Sequence, residues 1–257
     1  MPPKNPKRAA TISAVEARGV TYRYGDRYAL YEVDVSLGAG APCVILGPNG
    51  SGKSTLIDVL SMARRPERGQ LLFYDDRRDL VEPRHRGRLT AMLGHEPISH
   101  LRLTPRENVT LFFRLWGKKT ATPLSTAVTE ALETLGLDPW DPRPVGDLSL
   151  GSRRRVDLAV VLSLDTPFLL LDEPFAPLDP QSRRLLAHHL RKKSRGHVVA
   201  VSTHDESLLP LLSTQAQGEE TGNFAGGLQT LRLDAGQVMS AGPEPKPRCL
   251  SSDGEAS

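Results

Sequence analysis

Short apolar runs and longer runs with helical spacing alternate along most of the chain. Residues 33–37 read Val-Asp-Val-Ser-Leu, a period of two that indicates a half-exposed antiparallel strand. Residues 43–46, 168–171 and 198–201 are wholly apolar, which is typical of strands buried in a parallel sheet. Strands are predicted at 15–24, 28–37, 43–46, 71–74, 89–93, 168–171, 198–201, 228–233 and 237–240, and helices at 53–62, 104–116, 126–135, 152–164 and 181–193.

The order of these elements predicts an α/β domain over residues 14–242. Strands that alternate with helices favour a mostly parallel sheet, and the first two strands form an antiparallel pair beside it. Residues from about 96 to 147 contain helical patterns only, and Thr104 with Glu107 forms a plausible capping box. This stretch is predicted to be an inserted α-helical subdomain. Residues 1–13 and 243–257 are predicted to be disordered, and residues 213–226 to be a loop.

Composition excludes several classes of protein. The chain of 257 residues carries 33 basic and 30 acidic residues, a balance that does not favour a nucleic-acid partner. The run Arg153–Arg155 is expected to lie on a solvated face. There is no apolar stretch of membrane-spanning length and no apolar segment behind the basic N-terminus, so we expect a soluble, cytoplasmic protein. Cys43 is expected to be a core thiol and Cys249 to lie in the polar tail.

A Gly-rich loop between a predicted strand and a predicted helix fits the pattern GxxxxGK[ST]. The glycines let successive amides point at one phosphate, and the following helix directs its positive end there. We expect Lys53 to reach the β- and γ-phosphates, Ser54 to bind Mg²⁺, and Thr55 to contact the α-phosphate. The residues predicted to bind a nucleoside triphosphate are Gly47, Pro48, Asn49, Gly50, Ser51, Gly52, Lys53, Ser54 and Thr55.

Two acids follow the apolar run at 168–171. Neighbouring carboxylates at the end of a buried strand are costly unless a cation or a catalytic role compensates them. We expect Asp172 to hold a Mg²⁺-bound water and Glu173 to polarise the attacking water. The alternative for this pair is a surface turn, but the presence of the Gly-rich loop in the same chain argues against that alternative.

Together these motifs resemble those of ATP-binding subunits of ABC transporters, over residues 15 to 242. Residues 148–152 read Leu-Ser-Leu-Gly-Ser, which is similar to the LSGGQ signature of the family. Leu150 and Ser152 depart from it, whereas Ser149 and Gly151 keep the positions that approach the γ-phosphate. The resemblance implies a P-loop NTPase fold with an ABC-type ATPase core, an antiparallel β subdomain and an inserted α-helical subdomain. It also implies ATP and Mg²⁺ as ligands, and a head-to-tail dimer with two ATP molecules at the interface.

The resemblance assigns functional roles to further residues, each of which also has a purely structural interpretation. Ser149 alone would be an ordinary helix N-cap, and His204, in Ser-Thr-His after the strand at 198–201, would alone be a loop histidine. By resemblance, His204 senses the γ-phosphate and Asp179 lies at the dimer seam. Tyr24 matches the aromatic residue that stacks on adenine, and the alternative for it is a tyrosine of the strand or core.

ATPases of the family that this chain resembles usually carry a glutamine after the strand at 89–93, which contacts Mg²⁺ and the attacking water, and this chain lacks it. Counting back from Leu103 and Thr104, its position falls on His95, with Glu96 as a second candidate. A neutral imidazole offers one donor and one acceptor nitrogen, so His95 can still bind metal or water. The stretch LGHEP…LTPREN around it resembles that of the haem-exporter ATPases of cytochrome c maturation.

The resemblance therefore implies ATP hydrolysis that drives an export-type permease, and haem is one candidate cargo. It places the protein at the inner face of the cell membrane, bound there through an integral-membrane permease subunit and paired with a second nucleotide-binding subunit. Two alternatives remain open at this point. One is a soluble ABC-type ATPase without a transport role, and the other is a nucleotide-binding module with weak hydrolysis.

Overall fold

The computed structural model describes residues 12–81, 89–117, 122–213 and 228–241. Residues 1–11 of the predicted arm, residues 214–226 of the predicted loop and the predicted tail 243–257 lie outside these ranges. Ile12 and Ser13, predicted as the end of the arm, instead begin the first strand. Ile12 is fully buried, and Ser13 Oγ donates a hydrogen bond of 2.6 Å to Asp75 O. This pairing with a strand some 60 residues away is the reason that local composition misplaced the boundary.

Three antiparallel strands form the first sheet, in the order β2-β1-β4. They are β1 (Ile12–Tyr24), β2 (Arg27–Gly38) and β4 (Arg68–Asp75). Val15 pairs with Leu37 on one side and with Phe73 on the other, and all three side chains are buried. The predicted antiparallel pair is therefore confirmed.

The second sheet has six strands: β3 (Cys43–Leu46), β5 (Thr90–Leu93), β6 (Phe168–Asp172), β7 (Val198–Thr203), β8 (Gln229–Asp234) and β9 (Gln237–Ala241). Their order in the sheet is β5-β6-β7-β3-β8-β9. All neighbouring pairs are parallel except the last, β8 with β9. Alternate residues of β3 enter two separate hydrophobic clusters, Cys43 and Ile45 on one face and Val44 and Leu46 on the other. Burial on both faces explains why its central strands are continuously apolar.

Helices cover the sheet, and two of them belong to the predicted helical insertion. The capping box is confirmed, because Thr104 Oγ1 accepts from Glu107 N at 3.2 Å and Thr104 N donates to Glu107 Oε2 at 2.9 Å. In the described part of the chain, no helix is both long and apolar enough to cross a membrane. The helices are α1 (Lys53–Leu60), α2 (Pro105–Leu115), α3 (Leu124–Glu133), α4 (Leu150–Ser163), α5 (Pro180–Ser194) and α6 (Leu209–Leu212), with 3-10 turns at Val145–Asp147 and Glu206–Leu208.

The parallel register determines where the functional loops meet. Leu46 of β3 pairs with Thr203 of β7, and Asp172 of β6 pairs with Ser202 of β7. The three strands therefore end at one edge of the sheet, where open α/β sheets bind their ligands. The segments that begin at Gly47, Glu173 and His204 all emerge at this edge.

Candidate functional site

Two positions of the Gly-rich loop have room only for glycine. A Cβ on Gly47 would lie 2.2 Å from Leu233 O and 2.5 Å from Ser51 Oγ. Gly52 has a φ of +103°, and a Cβ there would lie 2.4 Å from Ala29 O. The loop therefore wraps closely against β8 and β2, which fixes its backbone amides before any ligand arrives.

Lys53 lies inside this loop and is buried. Its Nζ donates to Gly47 O at 2.8 Å and to Pro48 O at 3.1 Å, and lies 3.6 Å from Glu173 Oε1. Ser54 is exposed in the cleft beside it, and Thr55 is buried but still lines the cleft. The loop thus offers a positive charge and a hydroxyl to an anionic ligand.

Asp172 and Glu173 are held by a serine that sequence reasoning missed. Ser202 Oγ donates a short hydrogen bond to Asp172 Oδ1 and accepts one of 3.0 Å from Glu173 N. Glu173 has a φ of +46°, a left-handed conformation that costs roughly 1–3 kcal/mol in a residue other than glycine. Asp172 stays buried while Glu173 turns into the cleft. The only sequence signal for Ser202 is its position next to the end of an apolar strand.

Two histidines contact the acids. His204 Nδ1 lies 3.0 Å from Glu173 Oε1, and His95 Nε2 lies 3.2 Å from Asp172 Oδ2. The structure thus brings each histidine to one of the two acids, His204 to Glu173 and His95 to Asp172. Glu96, the second candidate for the position of His95, is exposed and does not line the cleft.

A cleft of about 580 Å³, within the range of small-molecule sites, is lined by Lys53, Ser54, Thr55, His95 and Glu173. Asn49, Gly50, Tyr24, Arg27 and Tyr28 also line it, whereas Asp172 and His204 do not. Tyr24 is 49% exposed, which rules out the alternative of a core tyrosine. Arg27 and Tyr28 are lining residues that sequence reasoning missed, because only the turn between β1 and β2 brings them beside Tyr24.

The Tyr24 ring has an aromatic neighbour and a cationic neighbour. It packs edge-on against Tyr22, with ring centroids 5.1 Å apart, and the Arg64 guanidinium lies 5.3 Å from its centroid. Asp58 accepts from Arg64 Nε at 2.7 Å and thereby raises the pKa of Arg64. A flat ring at the mouth of the cleft suits a stacked planar base.

Ser149, Gly151 and Asp179 do not line the cleft. Ser149 caps α4, accepting from Ser152 N at 3.2 Å, and Asp179 caps α5, accepting from Ser182 N at 2.9 Å. Bonds from Ser182 and neighbouring amides hold the pKa of Asp179 below its usual value. A Cβ on Gly151 would lie 2.9 Å from Pro177 O, so the signature packs beside the segment that ends at Asp179. In this chain Ser149 and Asp179 therefore serve as helix caps, and none of the three residues lines the cleft.

The run Arg153–Arg155 is not the solvated face that its charge predicts. Arg154 is 8% exposed and donates to Gly94 O at 2.8 Å and to Asp172 O at 2.9 Å. Arg153 Nε donates to Leu148 O at 2.9 Å, and Arg155 donates to Gly136 O at 3.1 Å. Burial lowers the pKa of Arg154, while the nearby carboxylates oppose that shift. The guanidinium groups satisfy carbonyls at the ends of strands and helices, which charge patterning alone does not reveal.

The side chains near Asp172 could bind a divalent cation only together with a bound nucleotide that supplies further oxygen atoms. In the residues that the structure describes, no cluster of three or more His, Cys, Asp or Glu side chains could hold a metal. Asp172 Oδ2 and His95 Nε2 converge, and Ser54 lies exposed in the cleft. Carboxylate and hydroxyl oxygens suit Mg²⁺, and the phosphates of a nucleotide complete such sites.

Comparison with known proteins places these features in context. A family model described as "ABC transporter" matches residues 30–176, more than half of the chain. The cytochrome c biogenesis ATP-binding export protein CcmA of Rhizobium johnstonii is 35% identical over 208 residues, which cover 79% of this chain and 92% of that protein. The sulfate/thiosulfate import ATP-binding protein CysA of Mycolicibacterium paratuberculosis is 35% identical over 196 residues, covering 76% of this chain and 53% of that protein.

The fold also has solved counterparts. The dimeric bacterial ABC transporter cassette MJ0796 superposes with a TM-score of 0.71 at 23% identity, covering 92% of this chain and the whole of that one. A post-hydrolysis dimer of the same cassette, bound to ADP and Pi, gives the same score. At this identity the likeness concerns the fold, which is that of a P-loop ABC-type ATPase core.

Proposed function

Because the chain belongs to the family of ABC transporter ATP-binding subunits and is an ATP hydrolase of that type, we propose that it drives an export-type permease, and that the exported cargo is haem for cytochrome c maturation. The proposal is supported by the length of the match to the CcmA protein, of which this chain covers 92%. The CysA relative is equally identical, but the chain spans only about half of its length. The LGHEP stretch around His95 adds to this support.

The observation that carries the assignment of catalytic residues is the cluster around Glu173. Its Oε1 lies 3.0 Å from His204 Nδ1 and 3.6 Å from Lys53 Nζ, at the edge of the sheet where the Gly-rich loop begins. We assign Glu173 to orient the attacking water and His204 to hold that carboxylate in place and contact the γ-phosphate. A phosphate in the loop would draw the Lys53 ammonium away from the carbonyls that it now contacts, because the phosphate is the stronger acceptor.

The remaining cleft residues bind and orient ATP. Tyr24 stacks on the adenine, the amides of the loop surround the phosphates, and Thr55 contacts the α-phosphate. Ser54 and Asp172, with His95, are the residues that would hold Mg²⁺, which would neutralise charge on the β- and γ-phosphates. Positioning and charge neutralisation are the main contributions to catalysis of phosphoryl transfer.

Ser149, Gly151 and Asp179 do not line the cleft of their own chain. Because the family resemblance assigns them to ATP, we propose that a second nucleotide-binding subunit brings them against ATP in a head-to-tail dimer. The integral-membrane permease is the other partner. The protein then works in the cytoplasm, peripheral to the inner face of the cell membrane.

The test of the catalytic assignment is Glu173→Gln. The amide keeps the shape of the side chain but cannot act as a base, so we expect ATP binding and a stable dimer with turnover reduced at least about 100-fold. Glu67→Gln is the matched control, because Glu67 pairs with Arg23 at 2.9 Å in an exposed ion pair. Turnover near that of the unchanged protein in Glu173→Gln would contradict the assignment. A native protein that binds ATP but hydrolyses it only very slowly would favour the weak-hydrolysis alternative.

The cargo is tested in cells that lack the gene. Complementation with the native chain is expected to restore covalent haem on c-type cytochromes, and Glu173→Gln is not. Haem-dependent peroxidase staining measures this, and immunoblots for the apocytochromes control for expression. Normal c-type cytochromes together with a loss of sulfate uptake would contradict haem export, and no membrane phenotype would favour a non-transport ATPase.

A further inference from the structure

The loop that carries His95 is held at both ends by one face of α4. This cation loop, residues 94–99, joins β5 to the segment before α2. Arg154 donates to Gly94 O at 2.8 Å, while Asp157 Oδ1 accepts from Ser99 N at 2.9 Å and from Ile98 N at 3.3 Å. Arg154 and Asp157 are three residues apart in a helix and so project from the same face.

Both anchoring groups are buried and charged. Arg154 is 8% exposed and Asp157 is 2% exposed. Hydrogen bonds that involve an ionised partner are shorter and stronger than neutral ones, and low solvent access strengthens them further. By contrast, the His95 side chain is 66% exposed. Its position therefore depends on the backbone of the cation loop rather than on packing around its ring.

The same arginine also reaches the acid pair. Its second branch donates to Asp172 O at 2.9 Å, so one guanidinium joins the end of β5 to the end of β6. Gly94 directly precedes His95, and Asp172 directly precedes Glu173. Arg154 thus fixes the distance between the backbone positions from which His95 and the Asp172 carboxylate extend.

We propose that Arg154 and Asp157 are positioning residues that fix the cation loop, so that His95 Nε2 and Asp172 Oδ2 bind the same divalent cation beside ATP. This inference rests on the proposed function. Neither residue touches the nucleotide or the cation, and both act through His95 and Asp172. Partners of this indirect kind set the affinity of metal sites by orienting the ligands themselves.

The test measures cation binding without hydrolysis. Mn²⁺ replaces Mg²⁺ as a paramagnetic probe, and a non-hydrolysable ATP analogue occupies the cleft. The variants are Arg154→Met, Asp157→Ala and Asp157→Asn, with Arg155→Met as the matched control, because Arg155 donates to Leu135 O and Gly136 O rather than to the cation loop. Spin-echo modulation from imidazole nitrogen reports whether His95 is bound to Mn²⁺, and His95→Gln gives the baseline.

Arg154→Met and Asp157→Ala are expected to weaken Mn²⁺ binding about tenfold and to diminish the nitrogen modulation. Binding of a fluorescent ATP analogue in EDTA should stay unchanged, because the Gly-rich loop is intact. Asp157→Asn should retain most of the Mn²⁺ affinity, since its amide oxygen can still accept from Ser99 N. Arg155→Met should match the native protein in both signals.

Native Mn²⁺ affinity and full modulation in folded Asp157→Ala would overturn the inference. An equal loss of nucleotide affinity in EDTA would also overturn it, because that result indicates general damage. If Arg154→Met does not fold, the pair Asp157→Ala and Asp157→Asn decides, since equal losses in both would exclude a role for the accepted hydrogen bonds. Failure of the proposed function is recognised separately, by normal c-type cytochromes in cells that lack the gene.

Discussion

Replacing Gly47 with alanine tests whether the Gly-rich loop depends on its contact with β8. The new methyl carbon would lie 2.2 Å from Leu233 O, whereas even close carbon–oxygen contacts are about 3.3 Å apart, an overlap of about 1 Å. The carbonyl belongs to a strand that is paired on both sides, with β3 and with β9, so it cannot move away alone. The loop must shift instead, and its amides shift with it.

The magnitude follows from the nature of this contact. Overpacking a well-packed site costs typically 1–3 kcal/mol, and a rigid backbone partner places Gly47→Ala at about 3 kcal/mol. For a protein of this size each kcal/mol lowers Tm by roughly 2–4 °C, so the expected decrease is about 6–12 °C. We also expect ATP affinity to fall, because the displaced amides no longer converge on the phosphates.

Alanine variants of two other glycines distinguish the clash with Leu233 O from an added methyl group alone and from backbone strain. Gly196→Ala adds a methyl group that meets nothing within 4 Å at a position without a positive φ, so its Tm should stay near that of the native protein. Gly50→Ala meets nothing either, but its φ of +82° adds left-handed strain of about 1–2 kcal/mol. Thermal unfolding by circular dichroism and titration with a fluorescent ATP analogue give the two readouts for each variant. A Tm for Gly47→Ala equal to that of Gly196→Ala, with native ATP affinity, would refute the reasoning.

Three further outcomes concern other parts of the fold. Asn108 is fully buried, donates to His100 O, Leu103 O and Thr104 O, and accepts from His100 N. Asn108→Leu should therefore lower the free energy of unfolding, measured in urea, by about 3 kcal/mol. A loss below about 1 kcal/mol would contradict this. Burial raises the pKa of the Cys43 thiol to about 12, so iodoacetamide at pH 8 should alkylate it only after unfolding, as read by peptide mass spectrometry. Because the pKa of Asp179 is lowered in the fold, its stabilising effect is complete above its ordinary pKa of about 3.8 and is lost as the pH falls through the lowered value. Asp179→Ala should therefore lower Tm at pH 7 but not in strong acid, and an equal loss at both pH values would exclude the carboxylate as the cause.

Patterns within a few residues carried most of the fold prediction. The apolar runs at 168–171 and 198–201 are strands buried on both faces, and the Thr104–Glu107 box begins a helix as predicted. The boundaries were less accurate, because Ile12 joins β1 through its pairing with Asp75. Local patterns report local hydrogen bonding well, but they do not contain the position of a distant strand.

The functional site, like the fold, was predicted only in part. The motifs predicted that Lys53 and the two acids act on one bound triphosphate, and the structure places Lys53 Nζ 3.6 Å from Glu173 Oε1. They did not predict that Ser202 links the acids or that Arg154 is buried. Both features depend on which side chains meet at the ends of separate strands.

The sequence by itself thus determined the class of ligand and the order of strands and helices, because a phosphate-binding loop and strand periodicity both depend on residues that are close together in the sequence. Only the tertiary structure decided that Ser202 links Asp172 to Glu173, and that Arg154 is buried and donates to Gly94 O and Asp172 O. Arg154 and Gly94 are 60 residues apart, and their hydrogen bond exists because packing of α4 against the sheet removes water from both groups. A buried charge must find its partners where the fold places them, and no local pattern specifies that place.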